Sequence, residues 1–224
     1  MTALLVRVPW RGHDNGMAGG RDLAAHWDEA YAQGETTRSW FQQHPDMSLR
    51  MLDAAGVVAA DSVVDVGGGG SALAEALLRR GFSDITVLDV SAAGIGAARQ
   101  RLGAQADQVH WLIADLLTWQ PSRQCRVWHD RAVFHFLTTS QDRRRYLQAL
   151  NTATAPGAVA VFGCFAPDGP RQCSGLPVAR YSAAELAGQL ADRWELICQD
   201  REEHLTPTGV IQPFTWAALR KRAC

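Results

Sequence analysis

From Asp22 onward the chain settles into short apolar runs separated by amphipathic stretches. Leu23, His26, Trp27, Ala30 and Tyr31 recur at helical spacing and share one face, which predicts a first helix. A polar loop follows from Gln33 to Ser39, then the aromatic pair Trp40-Phe41. A second helix is expected from about Pro45 to Ala55, with Asp46 near its start and Gly56 as its stop. Beyond it, strands and helices alternate. Ser62–Val66, Ile85–Asp89, Val109–Ile113, Arg126–His129 and Ala158–Phe165 read as strands. Ala72–Arg80, Ser91–Leu102 and Gln141–Leu150 read as helices, the first two stopped by Gly81 and Gly103. Ser182 and Glu185 have capping-box spacing and mark another helix start. Trp194–Cys198 and Phe214–Arg220 fit a closing pair of strands.

This order predicts an α/β fold with a single doubly wound sheet. Seven mostly parallel strands are expected, with an antiparallel strand near the C-terminal edge and helices on both faces. In such sheets the ligand lies at the carboxyl ends of the strands. Chemistry is therefore expected just after Val66, Leu88, Ile113 and Trp128. Residues 1–20 read as an irregular extension rich in turn formers, with Met17 as a second candidate start. Residues 21–60 read as a helical cover and 61–224 as the core.

Composition removes several classes. The net charge of −1 offers no global attraction for nucleic acid or anionic membrane. No apolar run reaches the roughly 18–20 residues that span a bilayer. The apolar start has no basic residues before it and no small-residue cleavage site after it, so a secretory signal is not expected. The five cysteines form no CxxC pair, which fits a reduced cytoplasm and argues against a disulfide framework or a metal site.

The sharpest motif is Asp65-Val66-Gly67-Gly68-Gly69-Gly70-Ser71. Glycines after a buried strand allow a tight turn and close approach to a ligand. Asp65 selects the ligand: a carboxylate two residues before the first glycine would repel a pyrophosphate, but suits the ammonium and sulfonium of S-adenosylmethionine (SAM). NAD is disfavoured on the same ground. Asp89 ends the second strand, where a carboxylate can accept from both ribose hydroxyls, with Val90 beside it. Asp115 ends the third strand and can accept from an adenine amino group, with Leu116 against the ring.

On these residues the chain resembles the class I SAM-dependent methyltransferases, from roughly Asp22 to the C-terminus. The resemblance implies a Rossmann-like core with SAM as cofactor. Asp65, Gly67 and Gly69 correspond to the family's first motif, and Asp89 and Asp115 to its ribose and adenine contacts. Ser71 stands where the family carries a third glycine. Asp130-Arg131-Ala132 and Arg143 to Tyr146 are similar to stretches of bacterial thiopurine and related thiol methyltransferases, and the Asp-Arg pair also resembles a eukaryotic protein-lysine group. By that resemblance Tyr31 and Trp40, near Trp27, close over the methionine end. Aromatic faces suit a sulfonium, by about 0.5–2 kcal/mol.

Methyl transfer is an in-line displacement, so the protein mainly holds and aligns the acceptor. A base is needed when the acceptor must lose a proton. His129 and His135 are candidates for that base, Arg131 for favouring a thiolate, and Asp130 for a further acceptor-side role. The expected acceptor is a small molecule, with a thiol or another soft nucleophile. A protein lysine or other amine, and a SAM-binding sensor without turnover, are the rival readings. The Pro- and Gly-rich loop from Phe165 to Val178 is expected to overhang the acceptor, with Cys173 and Ser174 near it.

Overall fold

The computed structural model describes residues 6–7, 23–32, 34 and 38–223. Most of the expected irregular extension, Met17 included, lies outside the described residues. The sheet contains β1 (Val6–Arg7), β2 (Val63–Val66), β3 (Ile85–Asp89), β4 (Val109–Ile113), β5 (Cys125–Arg131), β6 (Thr154–Phe165), β9 (Trp194–Leu205) and β10 (Ile211–Lys221). A small separate hairpin pairs β7 (Gln172–Cys173) with β8 (Leu176–Pro177). The helices are α1 (Leu23–Ala32), α2 (Asp46–Ala54), α3 (Leu73–Arg79), α4 (Ala92–Leu102), α5 (Ser140–Ala153) and α6 (Ala183–Leu190).

Strand order is β1-β4-β3-β2-β5-β6-β10-β9. All neighbours from β1 to β6 run parallel, and β10 runs antiparallel between β6 and β9. The antiparallel strand near the C-terminal edge is thus the last one in the chain, inserted inside the edge strand β9. The seven expected strands are present. β1 adds two residues to the far edge from within the stretch read as irregular. Among the described residues no helix is long and apolar enough to cross a membrane.

Side chains alternate across a strand, so each strand feeds two cores. Val63, Val127, Val161 and Trp216 belong to one, packed with Met51 and Leu52 of α2 and Ile95 of α4. Val64, Val66, Trp128 and Phe162 belong to the other, packed with Tyr146 and Leu150 of α5 and Leu186 of α6. Helix α6 starts with the expected capping box.

Helix α1 is docked on α4 by a cap. Asp28 Oδ1 accepts from Ser91 Oγ at 2.6 Å and from Ala93 N at 3.0 Å. Ser91 in turn caps α4, accepting from Gly94 N. Gly94 is required by proximity, because a Cβ there would lie 2.6 Å from the Tyr31 ring.

The second core holds a buried polar chain. Trp128 Nε1 donates to Tyr146 Oη at 2.8 Å, and Tyr146 donates to Asp130 Oδ2 at 2.5 Å. Tyr146→Phe removes a partner from each neighbour at once. It is expected to destabilise the fold by about 1–3 kcal/mol, measured by urea unfolding.

Candidate functional site

The carboxyl ends of β2, β3, β4 and β5 open into one cavity of about 480 Å³. Its floor is the glycine turn. Gly67 has φ +66°, a left-handed conformation that admits glycine with least strain, and Gly67, Gly68 and Gly70 all line the cavity. Asp65, two residues earlier, is buried at 2% exposure. Its Oδ1 is engaged by His129 Nδ1 at 2.7 Å, while Oδ2 is shielded and has no partner among the described residues. An unpartnered buried carboxylate oxygen is costly unless a donor or cation reaches it.

Asp89 stands at the end of β3. Its Oδ2 accepts from Gly69 N at 2.9 Å and its Oδ1 from Ser91 N at 2.8 Å. These bonds fix the plane of the carboxylate, and each oxygen keeps a lone pair for another donor. Burial pushes its pKa up to about 6, against the backbone N–H donors, which lower it. Asp115 Oδ1 accepts from Leu117 N at 2.9 Å, which shapes the turn after β4. Val90, Asp115 and Leu116 all line the cavity.

Helix α1 and residues 40–42 form the roof. Tyr31 Oη accepts from Gly70 N at 3.2 Å, joining the roof to the floor. Trp27 meets Trp40 and Phe136 edge to face, with centroids 5.6 and 5.3 Å apart, and Tyr31 meets Trp40 at 6.2 Å. All four rings line the cavity. Three sheet residues pin the loop that carries Trp40. Arg131 Nη1 donates to Trp40 O at 2.9 Å, His204 Nε2 to Ser39 O at 2.7 Å, and Gln42 Nε2 donates to Glu202 Oε1 at 2.7 Å.

The acceptor-side candidates divide by strand parity. Strand β5 continues to Arg131, beyond its expected end at His129. His129 and Arg131 share the face of Asp65 and line the cavity. Asp130 points the other way and is absent from the cavity wall. Its carboxylate accepts from Val133 N at 2.9 Å, Phe134 N at 3.1 and 3.2 Å, and Tyr146 Oη. It anchors the turn after β5, so the acceptor-side role expected for it is corrected to a structural one. Burial pushes its pKa up to about 6.

His135 is also corrected. It sits in the 3₁₀ turn Phe134–Phe136, fully buried against Phe136 and Phe165, and does not line the cavity. Burial, then the charge of Arg131, pull its pKa down to about 3, so it stays neutral at physiological pH.

Arg131 lies 4.9 Å from the centre of the Phe214 ring, and its Nε and Nη2 have no partner among the described residues. Burial lowers its pKa, while Glu202 opposes that shift. The β7–β8 hairpin brings Cys173, Leu176 and Pro177 to the cavity, but not Ser174. Burial pushes the Cys173 thiol pKa up.

Ser48 is a site residue that the sequence does not announce. It lies in the first turn of α2, is 1% exposed, lines the cavity, and sits 3.0 Å from His129 Nε2. A serine inside a helix carries no local mark of what faces it across the fold.

Residues 63–157 match a family model described as a methyltransferase domain. That stretch, from β2 into β6, is thus a methyltransferase domain. No curated protein sequence matches it. Among solved structures, one concerning conversion of a disulfide bond into a thioacetal group during echinomycin biosynthesis has a TM-score of 0.71 at 21% identity. That alignment covers 90% of this chain and 93% of the other. The N-methyltransferase NodS of Bradyrhizobium japonicum WM9, in complex with S-adenosyl-L-homocysteine (SAH), has a TM-score of 0.66 at 16% identity, covering 88% and 98%. The 1,6-didemethyltoxoflavin-N1-methyltransferase of Burkholderia thailandensis has a TM-score of 0.63 at 16% identity, covering 94% of each chain.

The residues present suit SAM as a methyl donor. The open oxygen of Asp65 is placed for a cation or donor, and Asp89 for a ribose. The expected binding form of Asp89 is the carboxylate, because ribose hydroxyls would donate to it. Its pKa is raised, so the neutral acid prevails below about pH 6 and the binding-competent ion above it. SAH affinity is thus expected to rise with pH through about 6 and then level off. Asp89→Asn should bind SAH more weakly and lose that step, as read by titration calorimetry from pH 5 to 7.5.

Proposed function

We propose that this methyltransferase acts on a small acceptor bearing a thiol or another soft nucleophile. The observation that carries this reading is the continuity of the cavity. One space runs from the glycine turn, under the aromatic roof, to His129, Arg131 and Cys173, and the β7–β8 hairpin borders that end. Its volume lies within the range of about 300–1,000 Å³ common for small-molecule sites.

Within that space we assign Asp65, Gly67, Asp89, Val90, Asp115 and Leu116 to the cofactor, and Tyr31 and Trp40 to its methionine end; Gly69 does not line the cavity and serves the cofactor through its N–H bond to Asp89. The positive charge of Arg131 favours a thiolate over a thiol, and His129 is the base that removes the proton. The echinomycin-related neighbour is described by a transformation at sulfur, which supports a soft acceptor. Two other neighbours are named as N-methyltransferases, which keeps an amine acceptor as the second reading.

Thermal unfolding with SAM, SAH and NAD tests the donor side. At 100 times its Kd a ligand of the folded state adds about 2.7 kcal/mol. Stabilisation is expected from both sulfur compounds and not from NAD. SAH release is then measured on matched panels of small thiols and amines, with faster turnover expected on thiols. Turnover confined to amines would replace the thiol reading with the second one. Binding without turnover on either panel would leave a sensor.

A further inference from the structure

Both ring nitrogens of His129 are occupied. Nδ1 faces Asp65 Oδ1 at 2.7 Å and Nε2 faces Ser48 Oγ at 3.0 Å. All three side chains are nearly inaccessible, at 1–2% exposure. A carboxylate only accepts, so Nδ1 carries the hydrogen and the Ser48 hydroxyl donates to Nε2. A base engaged at both nitrogens does not meet the acceptor directly. The group at the far end of the chain from Asp65 is the Ser48 hydroxyl, and Ser48 lines the cavity.

We propose that Ser48 is the proton contact of the acceptor, and that Ser48, His129 and Asp65 form a relay that removes the proton. The proposal rests on the methyl-transfer reading and deepens it: the substrate class becomes acceptors that must lose a proton as they are methylated. As the bond from the acceptor atom to the methyl carbon forms, the methyl–sulfur bond breaks and its electron pair stays on sulfur. The acceptor proton passes to Ser48 Oγ, and the hydroxyl proton of Ser48 passes to His129 Nε2. Asp65 stays ionised and holds Nδ1–H, which orients the ring and stabilises the imidazolium. One positive charge leaves sulfur and one arises on His129, so the total charge of the enclosed site is unchanged.

The geometry also has a purely structural reading, in which the chain only fastens α2 to the sheet. The charged groups around the imidazole are Asp65 on β2, Asp130 and Arg131 on β5 and, beyond the Trp216 ring, Glu202 on β9. None of them lies on α2, so removing the Ser48 hydroxyl leaves the charges around His129 in place.

Two measurements decide. The first needs no acceptor. Ring-nitrogen NMR of the SAH-bound protein at neutral pH, with His129 assigned by its loss in His129→Gln, is expected to show a neutral ring protonated at Nδ1. A proton on Nε2, or on both nitrogens, leaves no site for the acceptor's proton and overturns the relay.

The second uses benzyl mercaptan as the probe. Ser48→Ala is expected to lower kcat about 100-fold at neutral pH. The deficit should shrink as pH rises and the thiol ionises unaided. SAH affinity should be unchanged, and Ser48→Thr, which keeps a hydroxyl, should recover most of the rate. An unchanged kcat in Ser48→Ala, or a loss of equal size at every pH, overturns the proposal. Absence of wild-type turnover would count against the thiol reading, while the NMR result would still judge the relay.

Discussion

The site hangs on the contact between Asp65 and His129. Parallel register sets the two residues side by side on β2 and β5, on the same face of the sheet. One leads into the glycine turn at the floor of the cavity, and the other lies on its wall beside Arg131. The contact satisfies Asp65 Oδ1 and His129 Nδ1 together, which offsets part of the cost of burying both groups. The floor and the wall of the cavity therefore share a single buried electrostatic unit, and changing either residue disturbs both.

Around that pair the architecture is economical in kind. The sheet supplies direction, because parity along β5 sends His129 and Arg131 to the cavity and Trp128 and Asp130 into the second core. The cover supplies enclosure. It is held at its first helix by Asp28 on the cap of α4, and at its loop by Arg131, His204 and Glu202. Arg131 thus has two places in the structure, as a buried charge on the cavity wall and as a fastener of Trp40.

The floor of the cavity is largely legible in the sequence because its signals are local. A glycine turn after a buried strand and acids at successive strand ends are short patterns, and Asp65, Asp89 and Asp115 stand at the cavity they suggested. The wall is less legible, for a physical reason. The end of β5 was placed at His129, whereas two more residues stay in the ladder. Once Asp130 is a strand residue its direction is fixed, and it cannot turn toward the same space as its neighbours. His135 was misplaced by the same segment, since its 3₁₀ turn carries it behind the wall. Ser48 was invisible because its meaning lies in a partner 81 positions away.

The pinned roof bears on the order in which the molecule can assemble. The partners that hold the Trp40 loop from β9 are 160 and 165 positions distant along the chain. During synthesis the glycine turn and its neighbouring strands emerge first, and they are supported by parallel pairings among themselves. Glu202 and His204 leave the ribosome much later. Contacts between such distant positions bear the full entropy of closing a long loop. The cofactor floor can therefore take shape on a nascent chain that still lacks the fastenings of its roof.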